Sequence, residues 1–183
     1  MEENNISDEY RIVLTLPNGG SVKVHTLVSE NDSGYQKLLA IAEWFARQGK
    51  QVVLTPKVKR PPLFEYATIY GSLIGTKYEG KCPDIAIKNG DDFVFYEFES
   101  YTTTNKKRAL SNMLHRGFEQ SDKLIIDSIE ISEAKIKRSI YDRVANGENI
   151  NELWMLTHNK SCRLIYKKVK GLIAQSFFWS SEW

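Results

Sequence analysis

Apolar and polar residues alternate through "YRIVLTLPNGGSVKVHTL", residues 10–27, on both sides of Asn18-Gly19-Gly20. Period-two alternation around an Asn-Gly turn predicts a β-hairpin. "SENDSG" follows as a loop and helix start. In "YQKLLAIAEWFARQG", Leu38, Leu39, Ala42, Phe45 and Ala46 recur at helical spacing, and Gly49 marks the stop. "KQVVLTP" reads as a strand closed by Pro56. Residues 57–80 are rich in Pro, Gly and aromatic residues without a clean period. They read as a long ordered loop holding no more than a turn of helix, and loops of this length are uncommon unless functional.

"PDIAIK", the turn "NGDD" and "FVFYEFES" predict a second hairpin. Thr102, Thr103 and Thr104 supply N-caps for "NKKRALSNMLHRGFEQ", whose apolar stripe is Ala109, Leu110, Met113, Leu114 and Phe118. "DKLIID" is an almost wholly apolar strand, as expected of one buried on both faces. "SEAKIKRSIYDRVANG" is a further amphipathic helix, with Ser132 as cap and Gly147 past its end. "ELWMLTH" and "CRLIYKK" form a last hairpin around "NKS". The aromatic tail "FFWSSEW" either packs back on the domain or meets a partner.

Strands interleaved with helices over 183 residues predict one α/β (α+β) domain, 1–183, with a mixed central sheet flanked by helices. An N-terminal and a C-terminal β-hairpin complete it. Two cysteines and three histidines make neither a disulfide framework nor a zinc spacing. The acidic start "MEENNISDEY" is unlike a signal peptide, and no apolar run is long enough to span a membrane. A cytoplasmic location is the expectation. Net charge is only +2, so charge matters by its distribution. Lys106, Lys107, Arg108 and Arg116 cluster with His115, and Lys160, Arg163, Lys167, Lys168 and Lys170 form a second group. Each cluster alone reads as a solvated face.

The candidate chemistry lies in "GKCPDIAIKNGDDFVFYEFES". On a strand, Glu97 and Glu99 share a face with Phe93 and Phe95. Acids that continue an apolar stripe are costly unless a positive charge compensates them, which points to a partly buried cation site.

The block order helix, three strands, helix, strand resembles the core of the PD-(D/E)XK nuclease superfamily. Over about residues 35–127, Pro83-Asp84 stands at the head of the second core strand and Glu97-Phe98-Glu99 on the third. The pattern is most similar to the C-terminal nuclease toxin domains of contact-dependent growth inhibition proteins, several of which cleave tRNA. The resemblance implies a restriction-endonuclease-like core and Mg²⁺ or Mn²⁺ held by Asp84, Glu97, the carbonyl of Phe98 and Glu43 of the first helix. It also implies a polar residue from the next helix, Gln120. Expected partners are nucleic acid, tRNA or other RNA or DNA, and a cognate immunity protein; the chain would then be the delivered domain of an exported toxin. The family's motif lysine is here Glu99. Either a lysine has migrated (Lys81, Lys88, Lys106 or Lys107, with Lys106 nearest the following helix), or Glu99 is itself a ligand or base, or the fold serves only to bind nucleic acid or protein.

Overall fold

A computed structural model of the chain describes residues 9–58, 63–100, 109–127, 131–168 and 177–179. The chain divides into two compact units, Met1–Phe95 and Tyr96–Trp183.

In the first unit, β1 (Tyr10–Thr15) and β2 (Ser21–His25) form the antiparallel hairpin that the Asn-Gly turn predicts. Gly19 adopts φ 84°, and Asn18 binds both ways: its Oδ1 accepts from Gly20 N at 3.0 Å and its Nδ2 donates to Arg47 O at 3.0 Å. A Cβ at Gly20 would lie 1.9 Å from the carbonyl oxygen of Ala46, so the turn sits directly against the end of α1 (Tyr35–Arg47). α1 carries the chain across to β3 (Gln51–Leu54), which pairs parallel with β2, as such a pairing requires. Its buried stripe is Ile41, Ala42, Phe45 and Ala46; Leu38 and Leu39, expected in the core, are only half-buried. β4 (Ile85–Asn89) pairs antiparallel with β3, and Gly90 at φ 64° turns the chain into β5 (Asp92–Ser100).

Residues 57–80 differ from the expected loop. α2 (Leu63–Tyr70) is a helix of 8 residues, followed by a 3-10 turn at Gly71–Leu73. Tyr66, Ile69 and Tyr70, at i, i+3 and i+4, pack with Ala86 and Phe95. The Tyr70 hydroxyl donates to Pro56 O at 2.6 Å, while that of Tyr66 accepts from Gly80 N at 2.8 Å and donates to Lys81 O at 3.0 Å. These bonds give the irregular backbone on either side of α2 its partners.

In the second unit, β5 pairs parallel with β6 (Lys123–Asp127), and β6 parallel with β7 (Glu152–Leu156). The crossovers carry α3 (Ala109–Gln120) and α4 (Glu133–Ala145). Leu124, Ile125 and Ile126 are each 0% exposed, as the apolar run predicts. Leu110, Met113, Leu114 and Phe118 of α3 and Ile136 and Ile140 of α4 share one core with Leu124, Ile126 and Leu153. Ser132 holds the N-cap position of α4 without a side-chain cap bond. β8 (Cys162–Lys168) closes the predicted hairpin with β7, and β9 (Phe177–Trp179) pairs antiparallel with β8, so this part of the tail packs back on its own sheet. Mixed α/β is therefore the architecture of the described residues. None of their helices is long and apolar enough to cross a membrane.

Candidate functional site

The first unit holds Asp84 and Glu43. Asp84 stands immediately before β4; its carbonyl accepts from Thr55 N at 3.0 Å, and the Thr55 hydroxyl donates to the carbonyl of Pro83. The Pro-Asp pair is thus clamped to the end of β3. Lys57, two residues further along that segment, places Nζ 2.9 Å from Asp84 Oδ1 and donates to Cys82 O at 2.8 Å. Lys57, which is outside the predicted set of lysines, thus faces Asp84. The Lys57 side chain is 56% exposed, so the pair adds about 1 kcal/mol or less to stability. Glu43 is half-buried on α1, beside the Ile41, Ala42, Phe45 and Ala46 stripe.

The second unit holds Glu97, Phe98, Glu99 and Gln120. Glu97 pairs in register with Leu124, Phe98 with Ile125 and Glu99 with Ile126. Strand partners direct their side chains to the same face, so both glutamates lie on the side that α3 covers. Glu97 is 6% exposed. Burying a carboxylate is costly unless it is paired or hydrogen-bonded, so this position is not a wet strand surface. Glu99 is approached by Arg116 of α3, with Nη2 3.1 Å from Oε2. Arg116 thus brings a positive charge to Glu99 from the helix. Arg116 remains 61% exposed, and His115 beside it faces Glu119, with Nε2 to Oε1 at 3.5 Å. Gln120 ends α3, half-buried. Lys106, Lys107, Arg108 and the three threonine caps lie outside the described residues.

The face owes its closeness to Gly117. A Cβ there would meet Leu124 Cδ1 at 2.4 Å and Glu99 Cγ at 3.2 Å. A glycine inside a helix costs about 1 kcal/mol against alanine, and here it allows the helix to lie on the strand that bears the acids.

Two further acids belong to the second unit's polar structure. Asp127 is 7% exposed, and Ser100 donates to its Oδ2 at 3.3 Å. By the strand alternation it faces away from Glu97 and Glu99. Glu152 Oε2 accepts from the Tyr96 hydroxyl and from Trp154 Nε1, each at 2.9 Å. Burial and then the Glu152 charge push the Tyr96 phenol up, which keeps it protonated as the donor. A buried tyrosine and a half-buried tryptophan that satisfy one carboxylate form a structural network. Among the described residues, no group of three or more His, Cys, Asp or Glu side chains stands together as a metal-holding cluster. No protein-family model matches the chain, and no curated protein and no solved structure matches it significantly.

Proposed function

We propose that the protein is a metal-dependent nuclease that hydrolyses phosphodiester bonds of nucleic acid on a restriction-endonuclease-like core, with tRNA among its candidate substrates. The observation that carries this reading is Glu97: a carboxylate 6% exposed on a core strand, followed on the same face by Glu99. The Pro-Asp and Glu-x-Glu pattern assigns Asp84 and Glu97 as the ligands of Mg²⁺ or Mn²⁺, with the Phe98 carbonyl and Glu43 as further donors. Carboxylate and carbonyl oxygens are the donor chemistry that hard divalent cations take. When bound, such an ion supplies positive charge for the scissile phosphate and acidifies an attacking water. The chain's own cations have separate roles. Arg116, exposed and oriented by Glu99, offers guanidinium donors to a phosphate. Lys57 balances Asp84 and can turn to the substrate, because half of its side chain is already in solvent.

A noncatalytic nucleic-acid-binding module is the second reading. It is favoured by the Arg116–Glu99 pair, which occupies the position of the motif lysine with an ion pair. Incubating the protein with tRNA, single-stranded DNA and duplex DNA, with Mg²⁺, with Mn²⁺ and with chelator, separates the two. Cation-dependent cleavage supports the nuclease; retention of nucleic acid without cleavage under every condition supports the module.

A further inference from the structure

A cavity of about 400 Å³ opens in the first unit beside α2. Its origin is the short helix. An α-helix with its side chains is roughly 10 Å across and strands are about 4.8 Å apart, so one helix covers about two strands. α2 spends that width on Val53 of β3 and Ala86 of β4, with Phe95 of β5. Among the described residues no helix covers the same face of β1 and β2. Ile12, 63% exposed, and Phe93, 38% exposed, stand at the margin.

The chemistry of the lining is one-sided. Ile12 pairs in register with Lys23, Lys23 with Val53, and Val53 with Ala86, so a single row of side chains crosses four strands. Lysine breaks an otherwise apolar row. The walls add the apolar Ile69 and the hydroxyl-bearing Thr68 and Tyr10, and no acidic residue among the described ones lines the space. Among the described residues Lys23 has no ion pair, so none of them neutralises it there. Ligand cavities are typically roughly 300–1,000 Å³, mostly apolar, with a few polar groups that fix orientation.

We propose that this cavity binds a small apolar monoanion, an aromatic carboxylic acid, with its ring over Val53, Ile69 and Ala86 and its carboxylate on the Lys23 ammonium. The apolar floor selects the body by area removed from water, and the single cation selects the sign of the head. The site uses none of the residues assigned to phosphodiester hydrolysis, so it stands whether or not the protein cuts nucleic acid.

Calorimetric titration with naphthoate, and with neutral naphthylmethanol as the control of equal shape, tests it. The wild type should bind naphthoate about tenfold tighter than the alcohol. Lys23→Met should remove that preference and leave the alcohol unchanged. Ile12→Glu, at an exposed position that leaves the fold intact, should weaken naphthoate by a similar factor through repulsion. Ala86→Leu, checked for native circular dichroism, should fill the space and abolish binding of both. The proposal is overturned if naphthoate does not bind the wild type at millimolar concentration. It is overturned equally if Lys23→Met and Ile12→Glu bind naphthoate as the wild type does.

Discussion

Beneath α2, the sheet of the first unit leaves a cavity of about 400 Å³ beside Val53, Ile69 and Ala86. Beneath α3, the sheet of the second unit leaves no room for a methyl group at Gly117, where Leu124 Cδ1 would stand 2.4 Å away. The contrast lies in what the helices bring. α2 is 8 residues long and among the described residues is the one helix on its face, whereas α3 and α4 together put Leu110, Met113, Leu114, Phe118, Ile136 and Ile140 into one core. The acids of the proposed chemistry on β5, Glu97 and Glu99, lie on the tightly packed face. A catalytic carboxylate must be held to within a fraction of an ångström, and a face without slack does that. An open face suits a ligand that has to enter and leave.

Truncating core residues should expose the difference most strongly. Leu124→Ala should cost about 2–5 kcal/mol, because the close-packed surroundings cannot collapse into the space left. Val53→Ala, which only enlarges an existing cavity, should cost about 1 kcal/mol less than a fully enclosed valine would. Urea denaturation of both variants measures this, and equal losses would erase the contrast. Adding a methyl group should reverse the pattern. Gly117→Ala gains up to about 1 kcal/mol of helix propensity but overpacks Leu124, for a net loss of about 1 kcal/mol. Ala86→Val, beside open space, should stay within about 0.5 kcal/mol of wild type.

The packing of the second unit also sets a pH dependence. Burial pushes the Cys162 thiol from 9.0 up to about 12. The unfolded chain releases this proton near pH 9 and the folded chain retains it, so the unfolded state then binds fewer protons. The associated stability is complete below pH 9 and is lost between pH 9 and 12, with a slope approaching about 1.4 kcal/mol per pH unit. The raised Tyr96 phenol acts in the same direction above its ordinary value of 10. Cys162→Ala should flatten the alkaline limb in melts across pH 8–10.5, on a scale of about 1 kcal/mol; an unchanged limb would mean that the thiol ionises freely in the folded protein. Arg116→Ala should have only a small effect on stability, below about 1 kcal/mol, since the arginine is 61% exposed. Its effect should appear in cleavage and in the salt dependence of nucleic-acid binding.

Much of this arrangement was legible in the chain. Asn18-Gly19-Gly20 and Asn89-Gly90 mark turns because their backbone geometry demands those residues, and the unbroken apolar run Leu124-Ile125-Ile126 announces a strand buried on both faces. α2 was not legible. Its Tyr66, Ile69 and Tyr70 form barely one apolar turn between the prolines at 61 and 62 and the glycines that follow, too short a run for a period to emerge. The cations at the acids were hidden for another reason. Lys57 meets Asp84 because Thr55 holds the backbone of Asp84 in place, and Arg116 meets Glu99 from 17 residues away because Gly117 lets the helix down onto the strand. Such pairings depend on tertiary approach and leave no local pattern. Glu97 was visible as an acid in an apolar stripe, which is why it anchors the proposal.

The most direct test is Glu97→Gln, which keeps the shape of the side chain and removes its charge. Cleavage of tRNA and single-stranded and duplex DNA is measured with Mg²⁺ and with Mn²⁺, beside the wild type and a melting curve of each protein. The account predicts cation-dependent cleavage by the wild type, lost by at least about a hundredfold in Glu97→Gln while the variant melts as a folded protein. A wild type that cuts none of these substrates with either cation, or a Glu97→Gln protein that cuts as well as the wild type, would contradict it.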